Sequence, residues 1–428
     1  MKYPPINNEL FIKNRKRLAE RMKPRSVAVI HSNDIMPTNA DGTMGFKQNS
    51  NLFYLTGVDQ EESIFLFAPD FPNEQMRALL FLRKTSEEIA VWEGHKLTKE
   101  EGVQTSGIQQ VKWNEEFEQA FYTVLAECDH IYLDSNEHIR NGSYVETANA
   151  RFIKECKNKY PLYHYERLSP ILTDLRVVKS DIEHALMQHA CNITEQGFRR
   201  VLKKIKPGVM EYELEAEYLH EFVSNRSDGF AYTPIIGGGK NACVLHYIEN
   251  NQALQDGDLL LMDVGAAYSN YNADMTRTVP VNGRFSKRQR AVYDAVLRVK
   301  DAATALVRPG NAVPEYHKEV GEIMEKELVG LGLIDQTDIK NENPEWPAYK
   351  KYFMHGTSHH LGIDVHDVGS IYKKFEEGMV LTVEPGIYIP EEKIGIRLED
   401  NIVITDGEPI NLMKNIPIEA EEIEELMA

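Results

Sequence analysis

Short apolar runs punctuate the first part of the chain: Val27-Ala28-Val29-Ile30, Ile64-Phe65-Leu66-Phe67, Leu79-Leu80-Phe81-Leu82 and Ile131-Tyr132-Leu133. Runs of this length, rich in branched and aromatic side chains, predict buried strands. Glu115 to Cys128 and Tyr144 to Lys157 have helical spacing instead. Strands alternating with helices predict an α/β N-terminal domain. Turn residues from Tyr160-Pro161 to Ser169-Pro170 break both periods. The expected division is therefore 1–170 and 171–428.

Longer periods follow. Ser180-Asp181-Ile182-Glu183 reads as a capping box opening a helix that runs to Lys206, where Pro207-Gly208 stops it. A second helix over Glu211–Phe222 puts Leu214, Tyr218 and Phe222 on one face. A third starts at Ser286, with Gln289 three residues on, and ends before Pro309-Gly310. Each Pro-Gly stop ends a long helix and precedes a shorter one. A strand pattern repeats as well. Asp256-Gly257-Asp258-Leu259-Leu260-Leu261-Met262-Asp263 parallels Glu377-Gly378-Met379-Val380-Leu381-Thr382-Val383-Glu384. Both have a turn glycine, an acid six residues later, and a glycine two past the acid (Gly265, Gly386). The pattern predicts a duplicated helix–strand unit with Asp263 and Glu384 in equivalent places.

Composition narrows the class. With 42% hydrophobic and 27% charged residues among 428, the chain is globular rather than disordered. No apolar run approaches the roughly twenty residues of a membrane span. Met1-Lys2-Tyr3-Pro4-Pro5 lacks the apolar core of a signal peptide. A net charge of −18 argues against nucleic acid or anionic lipid as a partner. Four cysteines without a CxxC pair form no disulfide framework, so a cytoplasmic setting is expected.

An acid ending a strand is ordinarily a turn residue or a cap. The repeat alters that reading for Asp263 and Glu384, because two-fold related acids can meet at the pseudo-axis. Asp274 lies eleven residues past Asp263, and Glu399 fifteen past Glu384. In Gly395-Ile396-Arg397-Leu398-Glu399, strand alternation puts Arg397 and Glu399 on one face. The segment His355-Gly356-Thr357-Ser358-His359-His360-Leu361-Gly362-Ile363-Asp364-Val365-His366-Asp367 holds four of the fourteen histidines. It is not the helical HExxH motif, since Gly356 stands in the glutamate's place and Gly-Thr-Ser disfavours a helix. A polar surface loop is the plain alternative; Leu361, Ile363 and Val365 argue for partial burial.

Four converging carboxylates would repel one another, and two divalent cations would relieve the conflict. Carboxylates with one imidazole suit Mn²⁺ best, with Zn²⁺, Co²⁺ or Fe²⁺ also compatible. Two ions about 3.5–4 Å apart can share a hydroxide nucleophile and polarise a carbonyl. Spacing alone does not bring these residues together.

The His355–Asp367 string resembles the signature of aminopeptidase P and prolidase, proline peptidases with a pita-bread catalytic domain. Val383-Glu384-Pro385-Gly386-Ile387-Tyr388 and Gly395-Ile396-Arg397-Leu398-Glu399-Asp400 are similar to its next two motifs. Met262-Asp263-Val264-Gly265, Ala273-Asp274-Met275-Thr276-Arg277 and Leu245-His246-Tyr247 are similar to the earlier ones. Gln48-Asn49-Ser50-Asn51-Leu52-Phe53-Tyr54-Leu55-Thr56-Gly57 resembles the N-terminal domain of aminopeptidase P. The resemblance implies an α+β pita-bread C-terminal domain with a pseudo-two-fold repeat. It implies two metal ions: Asp263 on one, Asp274 and Glu399 bridging, His359 and Glu384 on the other. It further implies attack by the bridging hydroxide on the carbonyl of the first residue. Glu384 would shuttle the proton, and His366 and His355 would assist the tetrahedral intermediate or the leaving group. His246, His366, Tyr388 and Arg397 would shape a pocket for proline. The substrates implied are peptides with proline second. Relatives suggest a homo-oligomer, dimer or tetramer. His360 stands where relatives commonly carry an aromatic or small residue. Prolidase, acting on Xaa-Pro dipeptides, is the nearest rival; a non-catalytic pita-bread binding protein would be expected to lack a ligand, and all five are present.

Overall fold

In the computed structural model, which describes residues 3–428, the chain divides into two units, Tyr3–Arg176 and Val177–Ala428. The first contains β1 (Ser26–His31), β2 (Ile64–Phe67), β3 (Ala78–Leu82), β4 (Gln110–Trp113), β5 (His130–Leu133) and β6 (His164–Arg167). They form one mixed sheet in the order β4-β3-β2-β1-β5-β6. β1 lies antiparallel to β2 and parallel to β5. Its Val27 and Val29 share a core with Leu66, Phe81, Phe121 and Val124, the last two from the helix Phe117–Leu125. The Asn49–Gly57 stretch is a capped helix. The Asn49 side chain accepts from the Asn51 and Leu52 amides, and Gly57 ends the helix at φ 68°. A Cβ on Gly57 would meet the Phe11 ring at 2.2 Å, so both conformation and space require glycine there.

Two expectations differ from this. The helix expected from Tyr144 starts at Ala148, where the Thr147 side chain accepts from the Ala150 amide. The segment 160–170, expected as turns, holds β6 and the start of the helix Ser169–Arg176. β6 is a partly exposed edge strand and so has no apolar run. The helix stays with the first unit because Leu172 and Leu175 are buried and the Leu175 carbonyl accepts from the Tyr54 hydroxyl at 3.0 Å. The division thus falls at 176/177, a few residues past the expected 170.

The second unit shows the duplication. The helices Asp181–Leu202 and Glu211–Ser224 precede one group of strands: β7 (Gly229–Phe230), β8 (Ile235–Gly238), β9 (Leu259–Val264), β10 (Ala266–Tyr268), β11 (Tyr271–Asn272) and β12 (Met275–Pro280). The helices Lys287–Ala305 and Val313–Gly330 precede β13 (Val380–Val383), β14 (Gly386–Ile389), β15 (Ile394–Arg397), β16 (Asp400–Val403) and β17 (Ile410–Asn411). β9 pairs antiparallel with β12 and β13 with β16, setting Asp263 opposite Thr276 and Val383 opposite Asp400. A bridge from Thr276 to Glu399 joins the two groups. The repeated glycines mark close backbone approaches. A Cβ on Gly265 would sit 1.9 Å from the Ala273 carbonyl oxygen, and one on Gly386 2.8 Å from that of Ile396.

Behind the strands lies a buried ionic triad. Asp400 receives Arg277 Nη2 at 2.6 Å and Lys300 Nζ at 2.5 Å, with all three side chains almost fully buried. Burial alone would raise the Asp400 carboxyl; the two cations outweigh it and hold it well below the ordinary value.

A second carboxylate arrangement is less satisfied. Burial first, and then hydrogen bonding and repulsion from Glu342, push Glu325 on the helix Val313–Gly330 up to about 7. A carboxyl raised in the folded state keeps its proton there while the unfolded chain has lost it. Stability therefore falls as pH climbs from the ordinary carboxyl value through about 7. Glu325→Gln removes that titration. Its melting temperature is expected to fall less than that of the wild type between about pH 5 and about pH 8; parallel melting curves across that range would rule the pair out.

Candidate metal centre

The polar ends of β9, β12, β13 and β15 converge. Asp263 lies one residue before the end of β9 and accepts two hydrogen bonds, from Tyr232 Oη and from Arg397 Nη2, each at 2.6 Å. Asp274 precedes β12. The same tyrosine oxygen lies 2.6 Å from Asp274 Oδ1, so Tyr232 sits between the two acids. The Asp274 backbone is fixed by the Asn401 side chain, which accepts from its amide and donates to its carbonyl. Glu399 accepts from Thr276 Oγ1 at 2.6 Å. His359 Nε2 faces Asp274 Oδ2 at 3.3 Å and Glu384 Oε1 at 3.8 Å. Its Nδ1 lies 2.9 Å from the His360 carbonyl, so Nδ1–H is spent on the backbone and Nε2 is turned to the acids.

Donor atoms of Asp274, His359 and Glu399 lie within 4.8 Å of one another, close enough to share one ion. The electrostatics of the acids bear on whether a cation fits. Burial, then the charges of Asp274, Glu384 and Asp263, raise Glu399 well above an ordinary carboxyl. Burial is also the main reason that Glu384 is raised to about 7 and that Asp263 is raised. Burial would lower His359, but its hydrogen bond to Asp274 and the nearby acids win and push it up to about 9. Buried carboxylates forced toward the protonated state are what a divalent cation relieves, and oxygen donors with one imidazole suit a hard or borderline ion. The residues present fit such a metal.

A second chain of groups flanks the acids. Arg397 Nη1 donates to Tyr388 Oη at 2.8 Å, which leaves the tyrosine hydroxyl to donate to His355 Nε2 at 2.8 Å. His355 Nδ1–H then faces the Gly356 carbonyl at 2.8 Å. Burial, followed by the Arg397 charge, lowers His355 to about 3, so this imidazole is neutral. Its Nδ1 lies 3.7 Å from Glu384 Oε2. Tyr388 and Arg397, expected to line a proline pocket, are both buried, with their polar atoms turned to His355, Thr276 and Asp263. His366 and His246 are exposed. The His366 ring packs edge-on against His359, centroids 4.4 Å apart at 87°. His246 occupies the turn after Gly239–Cys243, close enough for its charge to act on His355. His360 turns away: its ring is buried, with Gly369 against it, and burial lowers it to about 3.

Three polar partners lay outside the expected set. Tyr232 stands in Phe230-Ala231-Tyr232-Thr233-Pro234, where no period or charge points to it. Thr276 could have been found, because alternation from Asp274 puts it on the same face. His317 reaches in from the helix Val313–Gly330; its Nδ1 lies 2.8 Å from Thr357 Oγ1, and the Thr357 carbonyl accepts from the Glu384 amide at 2.9 Å.

Comparison with known proteins gives the same picture from another side. Residues 185–406 match metallopeptidase family M24, and residues 11–132 match the aminopeptidase P N-terminal domain. The chain is 36% identical to the Xaa-Pro aminopeptidase of Escherichia coli, over 99% of this chain and 98% of that one. It is 31% identical to human Xaa-Pro aminopeptidase 3, over 93% of this chain and 80% of that one. A solved structure of a variant Escherichia coli aminopeptidase P in complex with substrate superposes with a TM-score of 0.89, at 34% identity and 99% coverage of both chains. The zinc-substituted Escherichia coli enzyme in complex with product gives 0.88, at the same identity and coverage.

Proposed function

The chain belongs to metallopeptidase family M24 and is an Xaa-Pro aminopeptidase on a pita-bread fold, and from that premise we propose how its own residues divide the work. Asp263, Asp274, His359, Glu384 and Glu399 would hold two divalent ions, Mn²⁺ being the first choice for so oxygen-rich a set. When bound, the metal supplies Lewis-acid activation of the scissile carbonyl and of the attacking water. The observation that carries this reading is the convergence of Asp274, His359 and Glu399, with Asp263 and Glu384 beside them.

The rest falls to the protein. Glu384 is largely buried, and burial raises it to about 7. It takes the proton of the attacking water and passes it to the proline nitrogen as the bond breaks. His366, exposed beside His359, donates a hydrogen bond to charge developing on the carbonyl oxygen. His355, kept neutral by burial and held in place by Tyr388 and Gly356, orients Glu384 and the leaving nitrogen. His246 and His366 face the proline ring; Tyr388 and Arg397 shape that pocket from behind. An Xaa-Pro amide has no N–H and a fixed φ, so recognition must rest on ring shape and on the free amine rather than on a strand-like contact.

Partners and setting follow more coarsely. Peptides are the substrates, and among the described residues no helix is long and apolar enough to cross a membrane. Free thiols at all four cysteines suit the reducing cytoplasm. Self-association into dimers or tetramers would have Val91 and Trp92, 81% and 89% exposed, as apolar surface in the first unit.

The test is a comparison of peptides. The protein with Mn²⁺ is expected to release alanine from Ala-Pro-Ala, to leave its acetylated form intact, and to stop on chelation. Preference for the dipeptide Ala-Pro would make it a prolidase; equal cleavage of the acetylated peptide, or full rate in verified metal-free protein, would refute the mechanism.

A further inference from the structure

The segment that carries His359 and His366 is moored by an ion pair outside the catalytic constellation. Lys179 Nζ lies 3.0 Å from Asp367 Oδ2, with both side chains 1% exposed. The lysine is itself fixed. Its amide donates to the Gly378 carbonyl at 3.0 Å, its Nζ reaches the Val177 carbonyl at 3.3 Å, and Val178 bridges to Met379. It therefore sits where the second unit begins, immediately before the cap residue Ser180.

The loop is wrapped closely around this pair. The Asp367 amide donates to the His360 carbonyl at 2.9 Å, closing the segment into a compact turn. Asn272 donates from its side chain to the Gly362 and Ile363 carbonyls, at 3.2 and 2.7 Å. A Cβ on Gly362 would fall 2.2 Å from Asp367 Oδ2 and 2.9 Å from Lys179 Cε, so the backbone passes directly over the ion pair. His366 immediately precedes Asp367, and its ring stands against His359.

We propose that the buried Lys179–Asp367 pair is a positioning device for His366, fixing the turn at the residue just after the side chain that faces the reacting carbonyl. This rests on His366 acting on the reacting peptide. The reason for using charge is direction. Packing tolerates small slips, whereas a buried carboxylate has a good place beside a lysine that is itself held on a fixed backbone. Removing either charge leaves the other buried and drives the turn to rearrange, which moves His366 without touching a metal ligand.

The experiment is a double-mutant cycle on Mn²⁺-loaded enzyme with Ala-Pro-Ala. Lys179→Met and Asp367→Asn are each expected to lower kcat about 10–100-fold, the range of losses on removing a supporting partner. KM and metal content should stay within a few-fold of wild type. In a His366→Ala background the same changes should cost little more, because the group they position is already gone. Asp367→Asn conserves shape and serves if Lys179→Met does not fold. Losses that multiply with His366→Ala, loss of metal, or an unchanged kcat in Asp367→Asn would overturn the proposal. A wild-type rate in His366→Ala alone would instead overturn the role of His366 on which it rests.

Discussion

His359→Ala is expected to lose metal and activity together, whereas His366→Ala keeps its metal and loses turnover alone. His359 Nε2 faces Asp274 and Glu384 inside the acidic cluster, so its removal deletes a donor. His366 stands beside His359 but is exposed, where a substrate carbonyl can meet it. A hydrogen bond that strengthens as charge develops is worth about 10²–10³ in kcat, or roughly 3–4 kcal/mol. Elemental analysis and kcat measured on the same samples decide the assignment. If His366→Ala loses metal as completely as His359→Ala, or if His359→Ala retains a full complement, the two roles are wrongly divided.

The second large effect is on stability. Asp400→Asn should destabilise the second unit by about 3–5 kcal/mol, the usual cost of breaking a buried ion pair. Asparagine keeps the shape but leaves Arg277 and Lys300 facing each other without an anion in an almost dry site. Arg277 has other partners, the Pro417, Thr276 and Glu399 carbonyls, so it cannot simply swing out to water. The melting transition of the second unit should drop by on the order of 10 °C. A shift within about 1–2 °C, as for an ordinary surface change, would show that the triad is not holding the strands together. Glu399 precedes Asp400 in the chain, so some loss of metal affinity should accompany the loss of stability.

The sequence by itself determined a good deal. Apolar runs marked β1, β2, β3 and β5 because strands covered on both faces need no polar alternation. Capping residues and Pro-Gly stops marked the long helices, since these act within a few residues of where they stand. The duplicated Gly–acid–Gly pattern singled out Asp263 and Glu384, and alternation put Arg397 on the face of Glu399. What stayed hidden was whatever depends on distant partners. β6 is an edge strand with none of its residues buried, so its sequence carries no apolar signal. Tyr232 matters only because folding puts its hydroxyl between two acids that lie 31 and 42 residues further on. Tyr388 and Arg397 could be matched to a motif, but only the packed structure shows that their polar atoms bond His355 and Asp263. The physical reason is common to all of these. Helices, caps and buried strands are selected by short-range sterics and burial, which neighbouring residues encode. A cluster of buried charge is settled by what the fold brings within a few ångströms, and the chain does not write that down in any local stretch.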